Sequence, residues 1–208
     1  MSEQNKKQKK YWIYTIGRLA VIPIFKLLYF SEYKNKKNLP EGACIICSNH
    51  LSNSDPLLVG IGQKRQIRFM AKEELFENKF LKAVISATGA FPVTRGHAEE
   101  KGLSNAETVL KDGEVLGIFP EGTRSKTGEL LRMRSGAALL AASNKVPVLP
   151  MCITPKGGKM KIFNKVKITY GELLTLEDLG ITGEKPNYKN ASRVISNAIA
   201  ELREQDKF

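Results

Sequence analysis

A chain of 208 residues, 42% apolar and with a net charge of +12, is long enough to bury one core without disulfides or a structural metal. Its apolar share is too low for a multi-span membrane protein and too high for a disordered chain. The charge admits nucleic acid, an anionic membrane or an acidic protein as partner; no RNA-binding motif or Cys/His finger accompanies it, so no nucleic-acid partner is expected.

The charge is concentrated at the start. Residues 1–40 hold nine Lys and Arg against Glu3 and Glu32, which is +7 of the total +12. The apolar stretch from Tyr11 to Phe30 is long enough to span a bilayer, yet Arg18 and Lys26 lie inside it. Each would cost about 2.5–3.5 kcal/mol near a helix centre. A broken apolar core without a small-residue cleavage site also argues against a signal peptide. Pro23 predicts two short helices here, with Tyr11, Thr15, Arg18, Lys26 and Tyr29 on one side. The expected arrangement is a basic amphipathic anchor over residues 1–38, lying in an anionic membrane surface, followed by an α/β domain over 39–208. The alternative is a helix packed on the protein's own core.

From Pro40 onward short apolar runs alternate with helical stretches, the pattern of an α/β fold with a mixed, mostly parallel central sheet flanked by helices. Strands are predicted at Ala43–Ser48, Ile67–Ala71, Gly89–Val93, Val115–Phe119, Val148–Ile153 and Val166–Tyr170. Helices are predicted at Pro56–Gly62, Asn78–Ala87, Ala98–Lys111, Gly136–Ser143 and Asn187–Arg203. Prolines 92, 120 and 150 mark strand ends or edges, and the stretch between Tyr170 and Asn187 reads as surface loop. Cys44 and Cys47 have a CxxC spacing, but on a strand they face opposite ways. They read as small buried apolar side chains in a reducing, cytosol-facing setting.

Ligands bind outside the carboxyl ends of strands in an open parallel sheet. Those ends carry Asn49-His50, Lys72, Thr94-Arg95 and Glu121–Arg124. His50 and Asp55 are five apart, too far round a helix to meet, but a strand-to-helix turn brings them together if Asp55 is the N-cap and Pro56 the first helical residue. The carboxylate then orients one imidazole nitrogen while the other takes a proton. Ser48, Ser52 and Ser54 lie close, but no GxSxG elbow supports a serine nucleophile; direct attack by an acceptor hydroxyl is simpler. Two histidines without clustered carboxylates predict no metal, and no Walker A or GxGxxG motif is present. In the second motif Gly122 frees the turn, Thr123 offers a hydroxyl and Arg124 a fork that matches phosphate. Glu121 aligns Arg124 or a substrate hydroxyl, or forms a surface ion pair with Arg124.

Asn49-His50-x4-Asp55, Phe91-Pro92-Val93-Thr94-Arg95-Gly96, Phe119-Pro120-Glu121-Gly122-Thr123-Arg124-Ser125 and Val146-Pro147-Val148-Leu149-Pro150, in that order, resemble the four blocks of the glycerolipid acyltransferase family. Ala71-Lys72-Glu73-Glu74-Leu75 resembles a fifth. The resemblance runs from about Tyr11 to Tyr170. It implies that His50 is the general base and Asp55 its partner, with Arg95 and Glu121–Arg124 binding a glycerol phosphate and Lys72 nearby. It further implies transfer of an acyl chain from an acyl carrier protein or coenzyme A thioester, a substrate rather than a cofactor, to the sn-2 hydroxyl of lysophosphatidic acid, giving phosphatidic acid. The place would be the cytoplasmic face of the cell membrane. Another lysophospholipid or glycerol 3-phosphate is the alternative acceptor, and a non-catalytic binder of anionic lipid is the alternative role.

Overall fold

The computed structural model describes residues 3–36, 39–72, 76–77, 85, 89–93 and 98–208. Its strands are β1 (Ser31–Lys34), β2 (Cys44–Ser48), β3 (Ile67–Lys72), β4 (Phe91–Val93), β5 (Val115–Ile118), β6 (Val148–Pro155) and β7 (Val166–Tyr170). Its helices are α1 (Glu3–Tyr29), α2 (Asp55–Ile61), α3 (Ala98–Lys111), α4 (Gly136–Asn144) and α5 (Tyr188–Gln205). The strands form one sheet in the order β1-β7-β6-β2-β5-β3-β4. From β6 to β4 every pair is parallel; β7 runs antiparallel to β6 and carries β1 parallel to itself. The predicted mixed, mostly parallel sheet is present.

Both faces of the sheet are covered, which is why β2 and β5 are apolar without alternation and buried throughout. Ile45 and Cys47 face a core built with α3, α4 and α5. Cys44 and Ile46 face the other, shared with Tyr29 of α1 and Leu58 and Val59 of α2. The two thiols thus sit on opposite faces, both fully buried. Desolvation pushes Cys44 up to about 11 and Cys47 up to about 12. Neither is a nucleophile at neutral pH.

Several expectations need correction. Residues 3–29 form one helix rather than two, with Pro23 inside it. Proline deprives only the carbonyl four residues back, that of Leu19, of its helical bond, and α1 continues through that loss. Pro150 lies within β6, between two neighbours, not at an edge. Its missing N–H falls between the bridge from Val148 to Leu174 and the β7 ladder, which starts at Met151 opposite Tyr170. Its carbonyl still accepts from the Gly171 N–H at 2.9 Å. The stretch after Tyr170 is not a surface loop throughout, because Leu174 joins that bridge and Leu179 and Ile181 are buried in the core. Strand β1 was not expected: Ser-Glu-Tyr-Lys has no apolar alternation and pairs only at the edge. Most of the predicted helix Asn78–Ala87 lies outside the described residues.

α1 is amphipathic in an inverted sense. Its polar groups grip the protein: the Tyr14 hydroxyl donates to the Gly60 carbonyl, Arg18 Nε to the Ile61 carbonyl, and Tyr29 Oη lies 2.8 Å from Ser54 Oγ. Its aliphatic residues Ile16, Leu19, Ile24 and Leu27 are 54–64% exposed. Among the described residues no helix is long and apolar enough to cross a membrane.

Candidate active site

β2 and β5 are hydrogen-bonded neighbours, so the segments leaving their carboxyl ends meet. The Ser125 N–H donates to the His50 carbonyl at 2.8 Å, which locks the two motifs together. Asn49, 1% exposed, extends the sheet by its side chain: Nδ2 donates to the Ile153 carbonyl at 2.9 Å and Oδ1 accepts the Ile153 N–H at 2.8 Å. The chain therefore leaves β2 in a fixed direction, and His50 follows at once.

His50 Nδ1 is 2.8 Å from Asp55 Oδ2. The same oxygen accepts the backbone N–H groups of Leu51 and Ser52 at 2.6 and 2.7 Å. Asp55 is fully buried. An ionised carboxylate can only accept, so in this pair Nδ1 carries the proton and Nε2 keeps its lone pair. Asp55 is not the helix cap that its spacing predicts. Ser54 already has helical dihedrals (φ −81, ψ −13), which puts Asp55 in the first turn and turns its carboxylate back onto the preceding loop.

The imidazole is also held from its face. Phe119 stacks on it with ring centroids 4.1 Å apart, and Phe69 stacks on Phe119 at 5.5 Å. Gly117 makes room for this column, since a Cβ there would stand 2.3 Å from the Phe69 ring. Sequence reasoning missed Phe69, Phe119 and Gly117 as supports. A lone glycine inside an apolar strand, which marks a close approach, was the available signal.

Gly122 divides the second motif. Its φ of +70 is strained for any residue with a Cβ, and a Cβ would also stand 3.0 Å from Arg134 Nε. The turn sends Glu121 inward, 4% exposed, and leaves Thr123 and Arg124 outside. The expected pairing of Glu121 with Arg124 is therefore absent from the described ion pairs. Thr123, Arg124 and Ser125 instead line a cavity of about 470 Å³ with Leu51, Lys126 and Lys159. Lys126 and Lys159, which sequence reasoning did not select, bring its cations to three. Lys72 ends β3, on the same edge of the sheet, and Arg95 lies outside the described residues.

Neither oxygen of Glu121 has a partner of regular hydrogen-bond geometry. Burial pushes its pKa up to about 7, although backbone groups of His50 and Leu131 pull it back in part. The folded protein thus keeps a proton there that an unfolded chain loses near pH 4.5. The stability so gained is full below that value and lost as pH rises through about 7. Glu121→Gln mimics the protonated form at every pH. Its stability relative to the parent should improve by on the order of 2–3 kcal/mol between acid and alkaline conditions. Urea unfolding of both proteins on either side of the window checks this; a pH-independent difference would mean that the carboxylate is solvated.

Against this geometry, comparisons with known proteins point one way. A family model described as Acyltransferase matches residues 31–154. The chain is 34% identical over 173 residues to the 1-acyl-sn-glycerol-3-phosphate acyltransferase of Bacillus subtilis (strain 168), covering 81% of this chain and 85% of that protein. The enzyme of the same name from Streptococcus pneumoniae (strain ATCC BAA-255 / R6) is 27% identical over 205 residues, covering 96% of this chain and 74% of that one. The crystal structure of the 1-acyl-sn-glycerophosphate (LPA) acyltransferase from Thermotoga maritima superposes with a TM-score of 0.70 at 26% identity, covering all of this chain and 85% of that one.

Proposed function

Because the chain belongs to the acyltransferase family, we propose that it transfers an acyl chain from a thioester to the sn-2 hydroxyl of lysophosphatidic acid, at the cytoplasmic face of an anionic membrane. The product is phosphatidic acid. The observation that carries this reading is the 2.8 Å bond from Ser125 to the His50 carbonyl. It ties the segment that brings Arg124 and Lys126 to the cavity to the residue whose imidazole, held by Asp55 through Nδ1, serves as the base.

Each residue then has a task. Arg124, with Lys126 and Lys159, holds the acceptor's phosphate in the cavity, and Thr123 adds a hydroxyl. Nε2 of His50 takes the proton from the acceptor hydroxyl as its oxygen bonds to the thioester carbon. Asp55 steadies the imidazolium through Nδ1. When the tetrahedral adduct collapses, the carbon–sulfur bond breaks and the imidazolium returns its proton to the departing thiolate. The balance is one ester formed and one thiol released. Thiolate leaves readily, so a second strong acid is not needed.

The donor is an acyl carrier protein or coenzyme A thioester. The exposed aliphatic side of α1, with Lys26 beside it, lies in the membrane surface from which the acceptor comes. Purified protein given lysophosphatidic acid in anionic vesicles and each donor in turn should release one thiol per phosphatidic acid identified by mass. A panel containing glycerol 3-phosphate and other lysophospholipids tests acceptor choice. Product from every panel member except lysophosphatidic acid, or no thiol release with either donor, would overturn the assignment.

A further inference from the structure

Between β6 and β7 the chain makes an excursion, Lys156-Gly157-Gly158-Lys159-Met160-Lys161-Ile162-Phe163-Asn164-Lys165, with four lysines and no acidic residue. We propose that this excursion is a second membrane-inserting element, in which Ile162 and Phe163 enter an anionic bilayer and the lysines meet its phosphates. The proposal rests on the membrane reading above and goes beyond it, since that reading needs only α1.

The tip is apolar and open to the outside. Ile162 is 59% exposed, and Phe163, at 68%, is the most exposed large apolar side chain among the described residues. Lys159, Lys161 and Lys165 are exposed around it. Apolar side chains ringed by basic ones form the composition that binds an anionic lipid surface.

The excursion is built to hold its tip in place. The Lys156 N–H donates to the Lys165 carbonyl at 2.9 Å, and Asn164 Nδ2 donates to the Lys156 carbonyl at 2.7 Å. The Phe163 N–H donates to the Leu28 carbonyl in the last turn of α1 at 2.5 Å. Phe163 has φ +63, a backbone region that non-glycine residues rarely occupy; these bonds hold it there. Ile24, Leu27 and Phe30, 48–64% exposed, flank Leu28 along the chain. The tip and the end of α1 are thus tied together as one apolar prominence.

Its base belongs to the candidate active site. Gly158, Lys159 and Met160 line the cavity that contains Arg124. Gly128, with φ +87, admits the excursion closely: a Cβ there would stand 2.0 Å from the Gly158 carbonyl oxygen. Insertion of the tip would therefore bring the phosphate-binding cavity to the lipid headgroups, where a lysophospholipid can enter by its head while its chain stays in the bilayer.

All three native cysteines are free and buried, so Phe163→Cys takes an environment-sensitive fluorophore at one site. Bound to vesicles of phosphatidylglycerol and phosphatidylcholine, the label should shift to the blue and be quenched by spin-labelled lipid. Ile162→Ser/Phe163→Ser should lower vesicle affinity by roughly one to three decades, the order expected when two apolar side chains, about three-fifths and two-thirds exposed, no longer gain burial of that area. It should lower turnover of vesicle-borne lysophosphatidic acid in step, while turnover of a short-chain, water-soluble acceptor stays at the parental rate. Vesicle binding with the label still in water overturns the second element and leaves α1 as the anchor. Absence of vesicle binding overturns both. A lipid-free shift that grows with protein concentration would assign the tip to contact with a second copy of the chain, against the proposal. Failure of the parent on both acceptors would instead count against the proposed reaction.

Discussion

Folded His50→Ala protein should have lost acyl transfer by at least about 10²–10⁴-fold, the usual contribution of a general base, while still binding acceptor and vesicles. The structure gives the reason for keeping the fold. Asp55 Oδ2 retains the Leu51 and Ser52 N–H groups after the imidazole is gone. The loss is then one charge-assisted bond and the stack on Phe119, about 1.5–3 kcal/mol for the bond. Asp55→Asn is the sharper companion. Its amide oxygen can still accept from the loop, but its NH₂ would occupy the buried position of Oδ1, which has no partner. Both stability and activity should fall, activity further, because a neutral amide oxygen in place of Oδ2 no longer steadies the imidazolium that forms. Combining the two substitutions should cost little more activity than either alone, as for groups acting as a unit. Single-turnover thiol release with thermal unfolding of each variant measures all of this. Near-parental turnover by folded His50→Ala would sink the mechanism.

The site was legible in the sequence where it depends on the sheet and illegible where it depends on one dihedral angle. Parallel strands put their carboxyl ends on one edge, so apolar runs alone were enough to bring His50 and Glu121–Arg124 together across 71 positions. The spacing of His50 and Asp55 required a turn, and a turn is present. Whether Asp55 would cap α2 or begin it hung on the backbone of Ser54, which the sequence around it does not determine. Likewise Glu121 and Arg124 look like partners in the linear motif, until the positive φ of Gly122 sends them opposite ways. Lys126 and Lys159 join one cavity because Gly128, without a Cβ, lets the Gly158 carbonyl of a distant loop come close. Nothing local marks that contact beyond the glycines themselves. Pro23 shows the converse: a residue that usually breaks a helix is tolerated inside the long helix α1.

Arg124→Lys should then separate acceptor recognition from chemistry. The guanidinium is exposed at the cavity beside Lys126 and Lys159, so lysine preserves the charge and removes the two-pronged fit to phosphate. The apparent KM for lysophosphatidic acid should rise while that for the thioester barely moves. Loss of one charge-assisted phosphate contact is worth on the order of 1.5–3 kcal/mol, which is roughly one to two decades in kcat/KM. Arg124→Ala should lie at the upper end, tempered by the two neighbouring lysines. The competing view, that Arg124 only braces its loop through Glu121, predicts equal deterioration toward both substrates. The burial of Glu121 and the outward position of Arg124 already count against it. Two titrations decide the matter, each varying one substrate with the other saturating. If the defect falls on the thioester alone, the phosphate site lies elsewhere and this cavity receives the donor.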